Sequence, residues 1–137
     1  MWVCIIDLNM EKSKLEQDYD DQRCWGMVAS VDCYGCHPEY IKDKAKIKKF
    51  IVELCDHIKM KRFGEPMVER FAEGPLEGCS AFQFIETSSV TMHFDEGENR
   101  AFIDIFSCAY FDPEETRKFC EQFLEAKSSK ELHFFRV

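Results

Sequence analysis

The stretch FQFIETSSVTMHFDEGENRAFIDIFSC, Phe82 to Cys108, carries three side chains able to do chemistry at fixed spacing. Ser88 offers a hydroxyl, His93 an imidazole five residues on, and Cys108 a thiol fifteen residues after that. A hydroxyl or thiol beside a base is the raw material of nucleophilic catalysis. The same groups are costly in a sheet core unless each finds a partner. No Gly-x-Ser-x-Gly stretch is present, so the set lacks the elbow of a common hydrolase arrangement. Strand alternation puts Ser89, Thr91 and His93 on one face and Val90, Met92 and Phe94 on the other. Taken alone, that pattern favours a half-exposed antiparallel strand with its polar residues outward.

A second group is CYGCH, with Cys33, Cys36 and His37. The spacing matches c-type haem attachment, a zinc half-site or a thiol redox pair. Haem attachment requires export, and zinc needs four ligands while no second Cys-x-x-Cys exists. The pattern favours two small apolar thiols at a strand-to-helix turn, with a redox pair as the alternative.

The elements that must position these residues follow from periodicity. Cys24 to Gly35 reads as a strand. His37 to Gly64 reads as one helix, with Ile47, Phe50, Ile51, Leu54 and Ile58 on a single face and Gly64 and Pro66 as its stop. PMVERF is a short strand and FAEGPLEG a loop. CSAFQFIE, SVTMHF and RAFIDIFSCAYF are strands, and DEGEN is a turn. Asp112 caps a second helix, with Pro113 at its first position and Glu115 at its third; Thr116, Phe119, Cys120 and Phe123 form its buried face. ELHFFRV is a last strand. Strands joined by short turns are antiparallel. The expectation is therefore an α+β two-layer sandwich, a mainly antiparallel sheet with two helices on one face.

Length and composition bound the rest. A chain of 137 residues, 45% hydrophobic with thirteen Phe, suits one domain with one core. Residues 1–23 are expected to be an N-terminal arm, exposed and charged over Glu11 to Arg23, and 24–137 the domain. A net charge of −8 argues against nucleic acid as a partner, since phosphates call for clustered Lys and Arg. No apolar run reaches the roughly 18 residues of a membrane span. MWVCIIDLNM has no preceding basic region and no small-residue cleavage site, so it is not read as a signal peptide. Eight Cys without export features are expected to be reduced thiols in a cytoplasmic protein.

From Ser80 to Cys108 the sequence resembles the short, prokaryotic-type S-adenosylmethionine decarboxylases, a family of pyruvoyl-dependent enzymes. Ser88, His93 and Cys108 keep that family's spacing, DIFSC (Asp104 to Cys108) matches the end of its strand, and Ser80 matches a processing serine. The likeness extends more loosely from Trp25 to Leu124. It implies self-cleavage between Thr87 and Ser88, which turns Ser88 into a pyruvoyl group able to condense with a substrate amine. It also implies that Ser80 assists the acyl shift, that His93 assists the elimination, and that Cys108 acts as proton donor, a role for which an apolar setting would keep the thiol protonated. A homodimer and a place in spermidine biosynthesis follow from the same resemblance. Three positions depart from the family. Thr87 stands where it has Glu, Ser89 where the prokaryotic enzymes have His, and Gly97 where a ribose-binding Glu is expected. Glu96 and Glu98 flank that last position and are the candidate substrate-binding carboxylates. No metal is implied. The alternatives are the same machinery acting on arginine or ornithine, and a non-processing relative that binds without catalysis.

Overall fold

The computed structural model describes residues 11–137. In chain order the elements are α1 (Lys14–Asp21), β1 (Gly26–Tyr34), α2 (Pro38–Lys42), α3 (Lys44–His57), β2 (Arg62–Phe71), β3 (Gly78–Ile85), β4 (Ser88–Asp95), β5 (Arg100–Ser107), α4 (Pro113–Phe123) and β6 (Ser128–Arg136). The strands form one six-stranded sheet in the order β2-β3-β4-β5-β1-β6, antiparallel at every pairing. This is the expected α+β two-layer architecture.

The inner face of the sheet is apolar and carries the helices. Met27, Ala29, Val31, Val90, Met92, Ile103 and Ile105 are all buried there, alternating along their strands with more accessible residues. Against them α3 sets Ile47, Phe50, Ile51 and Leu54, each fully buried, and Ile58 follows at the helix end. The Phe50 ring stacks on Phe123 of α4 at 4.9 Å between centroids.

Four details differ from the sequence reading. The helix expected over His37 to Gly64 is two. Asp43 leaves the helical region (ψ 116°) and its carboxylate caps α3 by accepting from the Lys46 amide, so chain direction changes between α2 and α3. That helix stops at His57; Gly64 and Pro66 lie within β2, where the pairing with β3 shifts register between Phe63 and Met67. In α4, Thr116 and Cys120 are buried as expected, while Phe119 and Phe123 sit at the edge of the core and are only half-buried. The polar segment Glu11 to Arg23 is not simply an exposed arm. Ser13 caps α1, and Tyr19 turns inward against the rings of Tyr110 and Phe135. One aromatic residue per two turns was too sparse a signal to predict that helix. The MWVCIIDLNM run lies outside the described residues.

Among the described residues no helix is long and apolar enough to cross a membrane.

Candidate active site

The hairpin of β3 and β4 turns through two residues, Glu86 and Thr87, since Ile85 pairs with Ser88. Thr87 adopts φ 55°, the left-handed region. For a β-branched residue that is a genuine outlier, because the branched Cβ crowds its own peptide there. Such positions cost of order 1–3 kcal/mol and persist only where the surroundings impose them. The imposing surroundings are the two paired strands on either side. The peptide that leaves Thr87 is the one joined to Ser88.

Ser88 opens β4 on the inner side of the sheet and is only 7% exposed. Its hydroxyl oxygen accepts a hydrogen bond from the Cys108 backbone amide at 2.8 Å. Cys108 follows directly on β5, which pairs with β4 from Ser89↔Phe106 onward; continued two steps, that register sets Cys108 opposite Thr87. The Cys108 thiol donates to the Glu86 carbonyl at 3.7 Å. Hydrogen bonding from the hydroxyls of Ser88 and then Thr87 pulls the thiol below its ordinary value, against a smaller upward push from burial. The apolar setting expected for this thiol is therefore replaced by a hydroxyl-lined one, and the shift runs downward.

Ser80 and His93 form a second pair. They face each other across β3 and β4, and the Ser80 hydroxyl lies 2.8 Å from His93 Nδ1. Both project from the outer face of the sheet, which no helix covers. Beside them a hollow of 220 Å³ is walled by Met67, Phe71, Phe82 and Thr91, with Glu69 at its rim. Glu69 sits directly across from Ser80 in the β2–β3 register. Strand pairing, not spacing, sets this residue beside the pair, and its carboxylate lies 3.6 Å from the Lys44 ammonium.

The structure thus groups the four residues as two pairs. Ser88 and His93 share a strand, but five steps of about 3.3 Å separate them by roughly 16 Å, and odd spacing sends them to opposite faces.

Glu96 and Glu98 lie in the turn between β4 and β5, at the His93 end of the strand. Each is engaged by an arginine: Glu96 with Arg70 at 2.8 Å, Glu98 with Arg100 at 3.1 Å. Arg100 also binds Asp95 at 2.7 Å.

The Cys33 and Cys36 thiols are buried, and burial pushes them up to about 12 and about 11. Thiols so held are poor nucleophiles. His37 is spent on capping α2, where its Nδ1 accepts from the Glu39 amide. This is the apolar, structural arrangement that the pattern favoured.

Residues 28–137 match the model of a family described as S-adenosylmethionine decarboxylase. The chain belongs to this family. The match covers β2 to β6 whole, β1 from its third residue, and both pairs of candidate residues. Members of the S-adenosylmethionine decarboxylase family are generally pyruvoyl-dependent. Among solved structures, the crystal structure of the adenosylmethionine decarboxylase from Aquifex aeolicus VF5 superimposes with a TM-score of 0.68 at 15% identity, over 82% of this chain and 91% of that one. The likeness establishes that the two share a fold. A group made from Ser88 fits what surrounds it here. The hydroxyl is enclosed, its oxygen already has a backbone donor, and the residue before it is held in a left-handed backbone conformation.

Proposed function

We propose that this chain is a self-processing, pyruvoyl-dependent decarboxylase of S-adenosylmethionine, working in the cytoplasm in spermidine biosynthesis. The observation that carries the proposal is the Thr87–Ser88 peptide. It sits at a hairpin tip behind a left-handed threonine, with the Ser88 oxygen held by the Cys108 amide at 2.8 Å.

The residues have distinct tasks. The Ser88 oxygen attacks the Thr87 carbonyl, and the amide becomes an ester; release of left-handed strain at Thr87 favours leaving the ground state. Ser80 assists this shift, and His93, oriented by its 2.8 Å contact with Ser80, takes the Ser88 Cα proton in the elimination that follows. When formed, the pyruvoyl group supplies an electron sink for loss of carbon dioxide from a bound amine substrate. Cys108 then returns a proton to the substrate carbon.

Ser80 and His93 of one chain stand too far from its own Ser88 to act on it. A second copy of the chain, laid on the open outer face with its Ser80 and His93 at the hairpin tip where the chain enters β4, supplies the missing pair. That face carries Phe63, Met67, Phe71, Phe84, Leu132 and Phe134, each more than half exposed. Exposed apolar area of this kind marks an interface. The active unit is then a homodimer whose sites each draw on both chains.

A second reading is favoured by one observation. By the family resemblance Gly97 stands where a ribose-binding carboxylate is expected, and both flanking glutamates are held by arginines. A plain basic amino acid such as arginine or ornithine would need no nucleoside contact there.

Denaturing mass measurement tests the proposal first. Two fragments split between Thr87 and Ser88, absent in Ser88→Ala, are expected; a single intact chain after long incubation refutes it. Release of labelled carbon dioxide from S-adenosylmethionine, and not from arginine or ornithine, is the expected second result. The reverse selectivity favours the second reading.

A further inference from the structure

The hydroxyls of Ser88 and Thr87 pull the thiol proposed as proton donor below its ordinary value in the uncut chain, which loosens its hold on the proton. Its surroundings indicate how that is reversed. The Ser88 oxygen rests on the Cys108 amide, and the Thr87 hydroxyl reaches the Cys108 thiol. We propose that the Ser88 oxygen stays at the Cys108 amide through self-cleavage and ends as a carboxylate oxygen of Thr87, so that the cut itself sets an anion against the Cys108 thiol and keeps it protonated. The inference rests on the self-cleavage reading above.

The bonds balance as follows. In the shift, the bond from the Ser88 oxygen to the Thr87 carbonyl carbon forms, the bond from that carbon to the Ser88 nitrogen breaks, and the hydroxyl proton passes to the nitrogen. In the elimination the Ser88 Cα proton leaves to a base. The electron pair of the Cβ–oxygen bond goes to the oxygen, which departs as part of the Thr87 carboxylate. Water then replaces the Ser88 nitrogen, which leaves as ammonia. The new anion consists of the old Thr87 carbonyl oxygen and the old Ser88 oxygen. The latter begins 2.8 Å from the Cys108 amide, a donor suited to a developing carboxylate.

Two changes at Cys108 follow, of the same sign. The Ser88 hydroxyl that stabilised a thiolate is gone, and a negative charge has arrived within a few ångströms. The other titratable neighbours do not reverse this. Glu86 raises the thiol already, and its carboxylate is 4.0 Å from the exposed Lys61 ammonium. Tyr19, which senses Cys108 through space, stays neutral at physiological pH because its own value is raised by burial. The cut chain therefore holds the Cys108 proton more firmly than the uncut one.

Titrating Cys108 in the processed dimer and in uncut Ser88→Ala separates the two changes, because both lack the Ser88 hydroxyl and only the former has the carboxylate. The measurement is the alkylation rate of Cys108 against pH, read by mass on its own peptide. Ser80→Ala, which keeps the Ser88 hydroxyl, is a second uncut reference. The expected order of apparent values is Ser80→Ala lowest, Ser88→Ala higher and the processed chain highest, with at least a tenfold lower thiolate fraction in the processed chain than in Ser88→Ala. Equal or lower values in the processed chain overturn the inference while two fragments still support self-cleavage. A wild-type chain that stays whole overturns both.

Discussion

Thr87 is asked to hold a backbone conformation that its side chain disfavours, and the hairpin register leaves it no other. Replacing it with glycine removes the left-handed penalty. In the uncut Ser88→Ala background, where cleavage cannot intervene, Thr87→Gly is expected to raise stability by about 1 kcal/mol in urea unfolding. In the wild-type background the same change is expected to slow the appearance of the two fragments, because less strain is released on leaving the ground state. A Thr87→Gly chain that cleaves faster would show that the strain is incidental. At Cys108 the residue scale corrects the sequence reading. A thiol expected among apolar groups is met by two hydroxyls, since the turn that brings Thr87 and Ser88 to the end of β5 is a product of pairing.

At the scale of elements, β4 lets one strand serve two faces. Its period of two sends Val90, Met92 and Phe94 into the core and His93 out toward Ser80. The helices cover the inner face behind it. Phe50 is fully buried and stacks on Phe123, so Phe50→Ala is expected to cost about 3–5 kcal/mol and to lower the thermal midpoint accordingly. Asp112 accepts from both the Glu114 and Glu115 amides at the start of α4. Asp112→Ala is expected to cost about 1 kcal/mol in the same unfolding measurement, with Asp112→Asn recovering most of it.

For the whole molecule, two consequences follow from how the layers close. The inner layer seals in the thiols of Cys33, Cys36, Cys55 and Cys120, all raised by burial above an ordinary 9.0, three of them to between about 11 and about 12. Raised values mean that folding is favoured in full below pH about 9. The contribution falls as pH rises through the window up to about 12, because the unfolded thiols ionise first. Urea midpoints are expected to drop steadily from pH 8.5 to 10.5. A flat profile would show that these thiols are not closed off. The outer layer, by contrast, has no cover of its own. Met67→Glu and Phe134→Glu on that face are expected to yield monomers in sedimentation and to abolish cleavage while leaving the circular dichroism unchanged. Mixing refolded Ser88→Ala chains with His93→Ala chains is expected to restore cleavage of the latter. Only a site shared between two copies explains such rescue.

Much of this is legible in the sequence. The period-two run from Ser89 to Phe94, the apolar stripe from Ile47 to Ile58, and the Asp112-Pro113 start of α4 each fix local structure through a pattern that spans a few residues. The spacing of Ser80, Ser88, His93 and Cys108 marked the candidate chemistry in the same way. Other features depend on partners distant along the chain. The helix break at Asp43 turns on a capping geometry that continuous helical periodicity conceals. The burial of Tyr19 needs Tyr110 and Phe135 to arrive from elsewhere. Local pattern was enough to say which residues lie on which side of each strand, since the direction of a side chain is a property of the local backbone. That Ser88 meets Cys108 while Ser80 meets His93 emerges on folding alone, because strand register and turn length choose neighbours, and neither is written in the spacing of the residues they join.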